Sequence, residues 1–195
     1  PFRHLIAQPI SNTSPEIWML GTSNYGAQLA AYLGIPYCFA HFITDGQGLK
    51  EALDIYRSEF RPSKKFPKPI VNVCMWALTA NTNDEARYLF SSRAAWKIGR
   101  NYGQLGPITD PDNALNIIND NNWDEQFETM YQNSFVGDPK VTKNKIYKLV
   151  KENKIDEIAI LTWCHNENSR VKSYELFANE FELSSKKELQ KSYIN

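Results

Sequence analysis

A strand-to-helix turn early in the sequence carries residues that are suited to holding a phosphate. Residues 21–26 read Gly-Thr-Ser-Asn-Tyr-Gly and separate an apolar run from a helical pattern. The free N–H groups and positive dipole end of a helix start attract anions, so this turn could bind a phosphate group. Taken alone, Ser23 or Asn24 is more simply explained as a plain helix N-cap. The two roles are compatible, because one turn can serve both.

Two of the three histidines follow apolar runs, at places where a side chain could act on a bound ligand. His41 comes directly after residues 37–40, and His165 follows residues 158–161 after a short gap. An imidazole there could donate a hydrogen bond to a ligand carbonyl or move a proton. Polar side chains that merely line the mouth of a barrel would explain both histidines equally well. Since no carboxylate stands at ligand spacing, we predict no metal site.

The remaining candidate residues are better explained by structure than by catalysis. Trp76 and Trp163 lie in strand-like stretches and are expected in the core, although either could form a wall beside a flat aromatic ligand. The polar cluster at residues 121–125 indicates a solvated loop. The sequence contains no nucleophile elbow, no Walker loop and no dinucleotide-binding fingerprint.

Short apolar runs alternate with amphipathic stretches, and together they predict the elements that position these residues. Four runs have the continuous apolar character of strands buried on both faces, namely residues 17–20, 37–40, 71–78 and 158–161. Helical patterns separate and follow them, with starts predicted near Tyr25, Leu49, Thr82, Asp138 and Ser169 and a short additional helix at residues 124–131.

This alternation predicts an α/β fold in which parallel strands are joined by right-handed crossovers. Four such units are half of a TIM-type (β/α)8 barrel, and a doubly wound open sheet is the alternative. We expect one partial barrel domain over residues 1–195, with a polar insertion at about 101–133 and a solvated tail at about 184–195. In either architecture, ligands bind at the carboxyl ends of the strands.

Composition narrows the possible partners and the compartment. The 22 Lys and Arg balance the 22 Asp and Glu, so the net charge is zero. The chain therefore lacks the overall positive charge on which non-specific nucleic-acid binding relies, and we expect no nucleic-acid partner. No stretch is long and apolar enough for a membrane span. The three cysteines are widely spaced, which suits buried thiols in a reducing compartment, and we expect a cytoplasmic protein.

Several collinear segments closely resemble the bacterial luciferase-like flavin-dependent monooxygenases. The likeness is carried by residues 15–36, 39–42, 56–63, 134–139 and 170–176, and it spans most of the chain. It implies a (β/α)8 barrel, usually dimeric, of which this chain resembles the C-terminal half, strands five to eight. The family uses reduced FMN, generally supplied by a separate flavin reductase, and O2 to oxidise an aldehyde or a similar small organic substrate.

The resemblance also implies roles for particular residues. Ser23 would contribute the hydroxyl that anchors the FMN phosphate, supported by Thr22, Tyr25 and Gly26. Residues 38–41 would border the flavin ring, chiefly through Cys38, Ala40 and His41, and residues 75–78 and 162–165 would line the same mouth. The family's catalytic histidine lies in its first four strands, which have no counterpart here. The catalytic residue is therefore unknown.

Half a barrel would leave strand edges and an interior face open, which soluble proteins do not tolerate. We therefore expect the chain to pair, either with a missing N-terminal half or with another copy of itself. Two alternatives to an FMN monooxygenase stay open. One is a relative that uses deazaflavin F420, and the other is a non-catalytic flavin-binding or assembly half-barrel.

Overall fold

The computed structural model describes residues 8, 13 and 15–183, and these contain five strands and eight helices. The strands are β1 (Met19–Gly21), β2 (Tyr37–Ala40), β3 (Val71–Thr79), β4 (Phe135–Gly137) and β5 (Glu157–Leu161). The helices are α1 (Asn24–Leu33), α2 (His41–Thr44), α3 (Leu49–Glu59), α4 (Asn83–Asn101), α5 (Pro111–Asp120), α6 (Asp124–Asn133), α7 (Pro139–Asn153) and α8 (Glu167–Glu180). No helix among the described residues is long and apolar enough to cross a membrane. The predicted tail at 184–195 lies outside the described residues.

Every described strand pairing is parallel, which confirms the predicted strand direction. Residues 72–74 of β3 pair with both β2 and β5, so these two strands flank it and give the row β1-β2-β3-β5. The short strand β4 pairs only with the last three residues of β3. Among the described residues, β1 pairs only with β2, and β5 pairs only with β3. Both ends of the row are therefore edges.

The two faces of this sheet have very different surroundings. On one face, Phe39, Val73 and Met75 pack with helices α1, α3, α7 and α8 into a continuous core. Successive strand residues point to opposite faces, so the intervening positions form a second face. A doubly wound sheet would carry crossover helices on both faces, whereas α1, α3 and α7 cover the same one. The result is the half-barrel predicted from the sequence. Its inner face is exposed on β1 and β5 and is covered only near the strand ends, where Trp76 and Leu78 pack into a second core.

Exposure on the inner face corrects the expectation that all four strands are buried on both sides. Leu20 is 55% exposed, and the β5 residues Glu157 and Ala159 are also exposed. Cys38 and Asn72, between them in the row, are half-buried. Strands β2 and β3 are shielded by neighbours on each side, but β1 and β5 have one neighbour each. The inner-face side chains of β1 and β5 are therefore exposed among the described residues.

The helices α4, α5 and α6 form a cap over the carboxyl ends of the strands. They enclose a second core that includes Leu78, Phe90, Ile118 and Phe127. The predicted helix at 124–131 is confirmed as α6, and the predicted start at Thr82 is confirmed because its Oγ1 accepts a hydrogen bond from the N–H of Glu85 at 3.1 Å. Helix α5, inside the predicted polar insertion, was not predicted.

The last two helices return the chain to the barrel. Asp138 caps α7 by accepting from the N–H of Val141 at 2.8 Å, and Pro139 is its first residue, as predicted. The predicted start of the final helix at Ser169 was wrong, because α8 begins at Glu167. Its N-cap is Asn166, whose Oδ1 accepts from the N–H of Ser169 at 3.0 Å. Ser169 thus belongs to the capped first turn.

Candidate functional site

The candidate site lies at the rim where the parallel strands end. Ser23 follows β1, His41 follows β2, and residues 162–165 follow β5. Since all pairings are parallel, these carboxyl ends lie on the same side of the sheet. The loop after β2 lies near both of the first two positions. A Cβ built at Gly48 would be 3.9 Å from the carbonyl oxygen of Thr22, and one built at Gly46 would be 2.6 Å from Nε2 of His41.

The turn after β1 has the geometry of a capped helix start. Ser23 has an extended backbone, and its Oγ accepts from the N–H of Gly26 at 3.2 Å. A Cβ at Gly26 would meet only this oxygen, at 3.6 Å, so the turn is sterically open there. Tyr25 is 72% exposed, and the first turn of α1 itself contains no acidic residue, while the Glu51 carboxylate of α3 accepts a hydrogen bond from the Asn24 side chain at 2.7 Å. The N-cap role of Ser23 is confirmed, and an anion could approach the remaining N–H groups.

The predicted residues on the second strand occupy different environments. The Cys38 thiol lies on the inner face, with Sγ 3.1 Å from Oδ1 of Asn72. Burial, and secondarily the nearby thiol of Cys74, raises the pKa of Cys38 to about 11, so it is protonated at neutral pH. The side chain of Ala40 is almost fully buried. Of the two side chains, only that of Cys38 is available to a ligand lying on the inner face.

His41 is buried at the rim among charged and aromatic neighbours. It is 7% exposed, and its ring lies 5.4 Å from that of Phe135. Burial lowers the pKa of His41, and the nearby Lys97 lowers it further, whereas Asp45 opposes the shift. The imidazole is therefore uncharged at neutral pH, with one nitrogen able to donate and the other able to accept.

The structure gives the two predicted histidines different charged neighbours. The neighbours that act on His41 are Asp45, Lys97 and Arg93, and His165 is not among them. His165 is exposed and lies close enough to Asp110 for its charge to lower the pKa of that carboxyl, a minor cause after the hydrogen bonds from Asn113. Among the described residues, no group of three or more His, Cys, Asp or Glu side chains could hold a metal ion.

A cluster of charges beneath the cap was missed by the sequence analysis. Arg93 is only 1% exposed, and its Nη2 lies 3.3 Å from Oδ1 of Asp45. Lys97 pairs with the other oxygen of the same carboxylate. The Arg93 guanidinium also stacks over Trp76 at 4.1 Å. The one available signal was the spacing of Arg93 and Lys97, which places them on one face of a helix.

The two tryptophans singled out from the sequence have separate roles. Trp76 is buried in the cap core, with its ring 5.6 Å from Phe90, which confirms the core interpretation. Trp163 is half-buried, and its ring makes edge contacts with Phe42 and Trp96. It therefore forms part of an aromatic wall at the mouth.

Comparison with known proteins gives the same family that the sequence resembles. No family model matches the chain. A relative from Escherichia coli K12, named luciferase-like monooxygenase, is 33% identical over 181 residues, which are 90% of this chain and 52% of the relative. Bacillus subtilis YceB, which is uncharacterized, is 29% identical over 93% of this chain and 54% of its own length. The predicted resemblance is thus confirmed, and the chain spans about half the length of these relatives.

Solved structures agree on the fold. Apo-MsnO8 superposes with a TM-score of 0.82 at 28% identity, over 94% of this chain and 56% of its own. A type II Baeyer–Villiger monooxygenase, solved in complex with FMN, gives 0.57 at 18% identity, over 86% of this chain and 48% of its own. At 18% identity, the second match supports the fold only. Together with the parallel row, these matches establish the half-barrel.

Proposed function

We propose that this luciferase-like half-barrel is part of an FMN-dependent monooxygenase that oxidises a small, aldehyde-like organic substrate with O2. The observation that carries the proposal is the turn after β1. It presents a Ser-capped helix start, free of acidic residues in its first turn, at the carboxyl rim beside the open inner face. The likeness to the luciferase-like relatives supports the same assignment.

The turn suits a phosphate in its present conformation. Ser23 Oγ accepts one hydrogen bond from Gly26, and a hydroxyl keeps a proton that it can donate to a phosphate oxygen. The N–H groups of the first helical turn, at Asn24 and Tyr25, have no acceptor within the helix. Thr22 and Gly26 would support this contact by shaping the turn. The positive end of the α1 dipole adds to the attraction.

The second strand would border the flavin ring through Cys38, Ala40 and His41. The protonated Cys38 thiol is a poor nucleophile, so it would lie against the ring without attacking it. The uncharged His41 could donate a hydrogen bond to an electronegative ring atom. Bound reduced FMN would supply the two electrons with which one atom of O2 enters the substrate and the other leaves as water. We assign no catalytic residue to this chain.

A cofactor titration followed by an activity measurement tests the proposal. The purified chain should quench FMN fluorescence on binding and should bind F420 more weakly. With a flavin reductase, NADH and a long-chain aldehyde, oxygen consumption should rise above the reductase-only background. Tight binding of F420 alone would favour the deazaflavin alternative. FMN binding without aldehyde-dependent oxygen consumption, even with further barrel units added, would favour the non-catalytic alternative.

The open inner face indicates how the chain would associate. Leu20 is 55% exposed on an edge strand, and Glu157 and Ala159 are exposed at the other edge. Exposed strand edges and an exposed apolar side chain such as Leu20 favour pairing with another surface. We propose that this face is covered by further βα units, or by a second copy in a homo-oligomer. We also propose a cytoplasmic location, since Cys38, Cys74 and Cys164 are all free thiols.

Self-association is expected when the chain is purified by itself. Analytical ultracentrifugation should give a mass of at least a dimer of the 22.5 kDa chain. Leu20→Lys, which places a charge on the inner face, should shift the mass toward the monomer. Leu33→Lys is the control, because Leu33 is also about half exposed, at 50%, but ends helix α1. A wild-type monomer at micromolar concentration would contradict self-association.

A further inference from the structure

One face of helix α4 carries a row of cations and aromatic groups toward the mouth of the half-barrel. The row consists of Arg93, Trp96, Lys97 and Arg100, whose spacing places them on adjoining turns of one helix face. Arg93 stacks on Trp76, and both Arg93 and Lys97 reach Asp45 in the loop after α2. Trp96 meets Trp163, which follows β5. These contacts show that the row faces the strand ends.

A cleft of about 330 Å³ lies between this helix face and the rim. It is lined by Phe42 and Ile43 of α2, by Trp163, and by Trp96, Lys97 and Arg100 of α4. The Trp163 ring meets Trp96 at 5.6 Å and Phe42 at 6.3 Å, both edge-on. Aromatic walls of this kind suit the apolar body of a small molecule, and the volume is at the lower end of the range for ligand sites.

The charges around the cleft are unequal. Asp45 is shared by Arg93 and Lys97, so a single negative charge faces two positive ones. Arg100 stacks over Trp96 at 5.0 Å and forms no salt bridge within the part of the chain that the structure describes. The mouth therefore has an excess of positive charge next to apolar walls.

We propose that this cleft binds the carboxylate of an organic substrate whose apolar body lies against the rings of Trp96, Trp163 and Phe42. Arg100 and Lys97 would hold the carboxylate, and the rings would contact the rest of the molecule. That the bound molecule is a substrate rests on the proposed monooxygenase function, whereas carboxylate binding in the cleft does not depend on it. The accepted substrate would be a molecule that carries an anionic group away from the carbon to be oxidised.

The cleft is separate from the phosphate turn. Ser23 follows β1 at one end of the strand row, whereas Phe42 and Trp163 follow β2 and β5, on either side of β3. Strands are spaced by about 4.8 Å, so β1 and β5 are roughly 14 Å apart along the sheet. The residues that line the cleft do not include those of the turn, so a phosphate at Ser23 and a carboxylate at Arg100 could be bound together.

Calorimetric titration with two probes tests the proposal without flavin. The probes are 2-naphthoate and 2-naphthalenemethanol, which share the aromatic body and differ in charge. Naphthoate should bind at least about 10-fold more tightly, as expected for a charge-assisted contact. Arg100→Gln and Lys97→Gln should each remove most of this difference while leaving alcohol binding unchanged. Lys148→Gln, at an exposed position on α7, should change neither affinity.

Equal affinity for the two probes, or no binding of either, would overturn the proposal. So would a naphthoate preference that survives both substitutions. FMN titration of the same variants separates this inference from the proposed function. If Arg100→Gln weakens FMN binding as much as Ser23→Ala does, the cations serve the flavin and not a substrate. If FMN fails to bind any variant but naphthoate behaves as expected, the binding site stands and the flavin assignment fails.

Discussion

Replacing Gly26 with Asp is expected to weaken FMN binding by about 100-fold. The new carboxylate would stand in the first turn of α1, beside the proposed phosphate position at Ser23. Two unit negative charges about 6 Å apart, at an effective dielectric constant of about 20, repel by roughly 2.8 kcal/mol. That free energy corresponds to about two powers of ten in the dissociation constant. Fluorescence titration with FMN measures it.

Riboflavin distinguishes a phosphate effect from damage to the fold. It shares the ring with FMN but lacks the phosphate, so its affinity should be the same in wild type and in Gly26→Asp. Gly26→Asn, which has the same shape without the charge, should bind FMN within a few-fold of wild type. The Asp variant should also be no less stable, since an acidic residue near a helix N-terminus is favourable. Equal loss of riboflavin and FMN binding would contradict the phosphate assignment.

Ser23→Ala adds a measure of the hydroxyl itself. Loss of the cap should cost about 1 kcal/mol of stability, and loss of a hydrogen bond to a charged phosphate should weaken FMN binding roughly 10-fold or more. Thr82→Ala is the matched control, because Thr82 caps α4 through the same kind of hydroxyl contact. It should cost similar stability and leave FMN binding unchanged.

Replacing Arg93 with Ala is expected to destabilise the protein by about 3–5 kcal/mol. The guanidinium is 1% exposed, lies over Trp76 at 4.1 Å and contacts Asp45. Its removal leaves a cavity in the packed interior and ends both the cation–π contact and the ion pair. Urea denaturation followed by tryptophan fluorescence measures the free energy of unfolding.

Arg93→Met separates packing from charge. Methionine fills much of the same space and packs well against an aromatic ring, so it should cost under about 1 kcal/mol. Lys97 would still pair with Asp45 in this variant. If Arg93→Met lowers the free energy of unfolding as much as Arg93→Ala does, the stabilisation comes from the positive charge of Arg93 and not from the volume that its side chain fills. A loss below about 1 kcal/mol for Arg93→Ala would contradict the structural role of this residue.

Local chemistry made part of this fold predictable. Strand β2 was predicted at its observed bounds, because Gly34 and Pro36 end the preceding helix and a short apolar run follows. The cap at Asp138 was found from the sequence because a helix-starting Pro and an apolar periodicity follow it. The same Asp-Pro signal at Asp110 and Pro111 was overlooked, since α5 buries only Pro111, Ala114 and Ile118 in an otherwise polar segment.

Long-range contacts explain what the sequence did not reveal. Strand β4 has only three residues. It forms because they pair with the last three residues of β3, which lie 58 positions earlier in the sequence. The burial of Arg93 depends on Trp76 and Asp45, which lie on other elements. No local pattern distinguishes such an arginine from an exposed one. The turn at Ser23, by contrast, is local in sequence and could be recognised directly.

Strand β3 joins two regions that can change independently. Val73 and Met75 pack into the core beneath the sheet, whereas Trp76 and Leu78 pack into the core of the cap. Substitutions inside the cap can therefore reshape the mouth while the barrel keeps its own packing and its phosphate turn. An evolving lineage could exchange one substrate for another in this way, without rebuilding the part of the chain that would hold the cofactor.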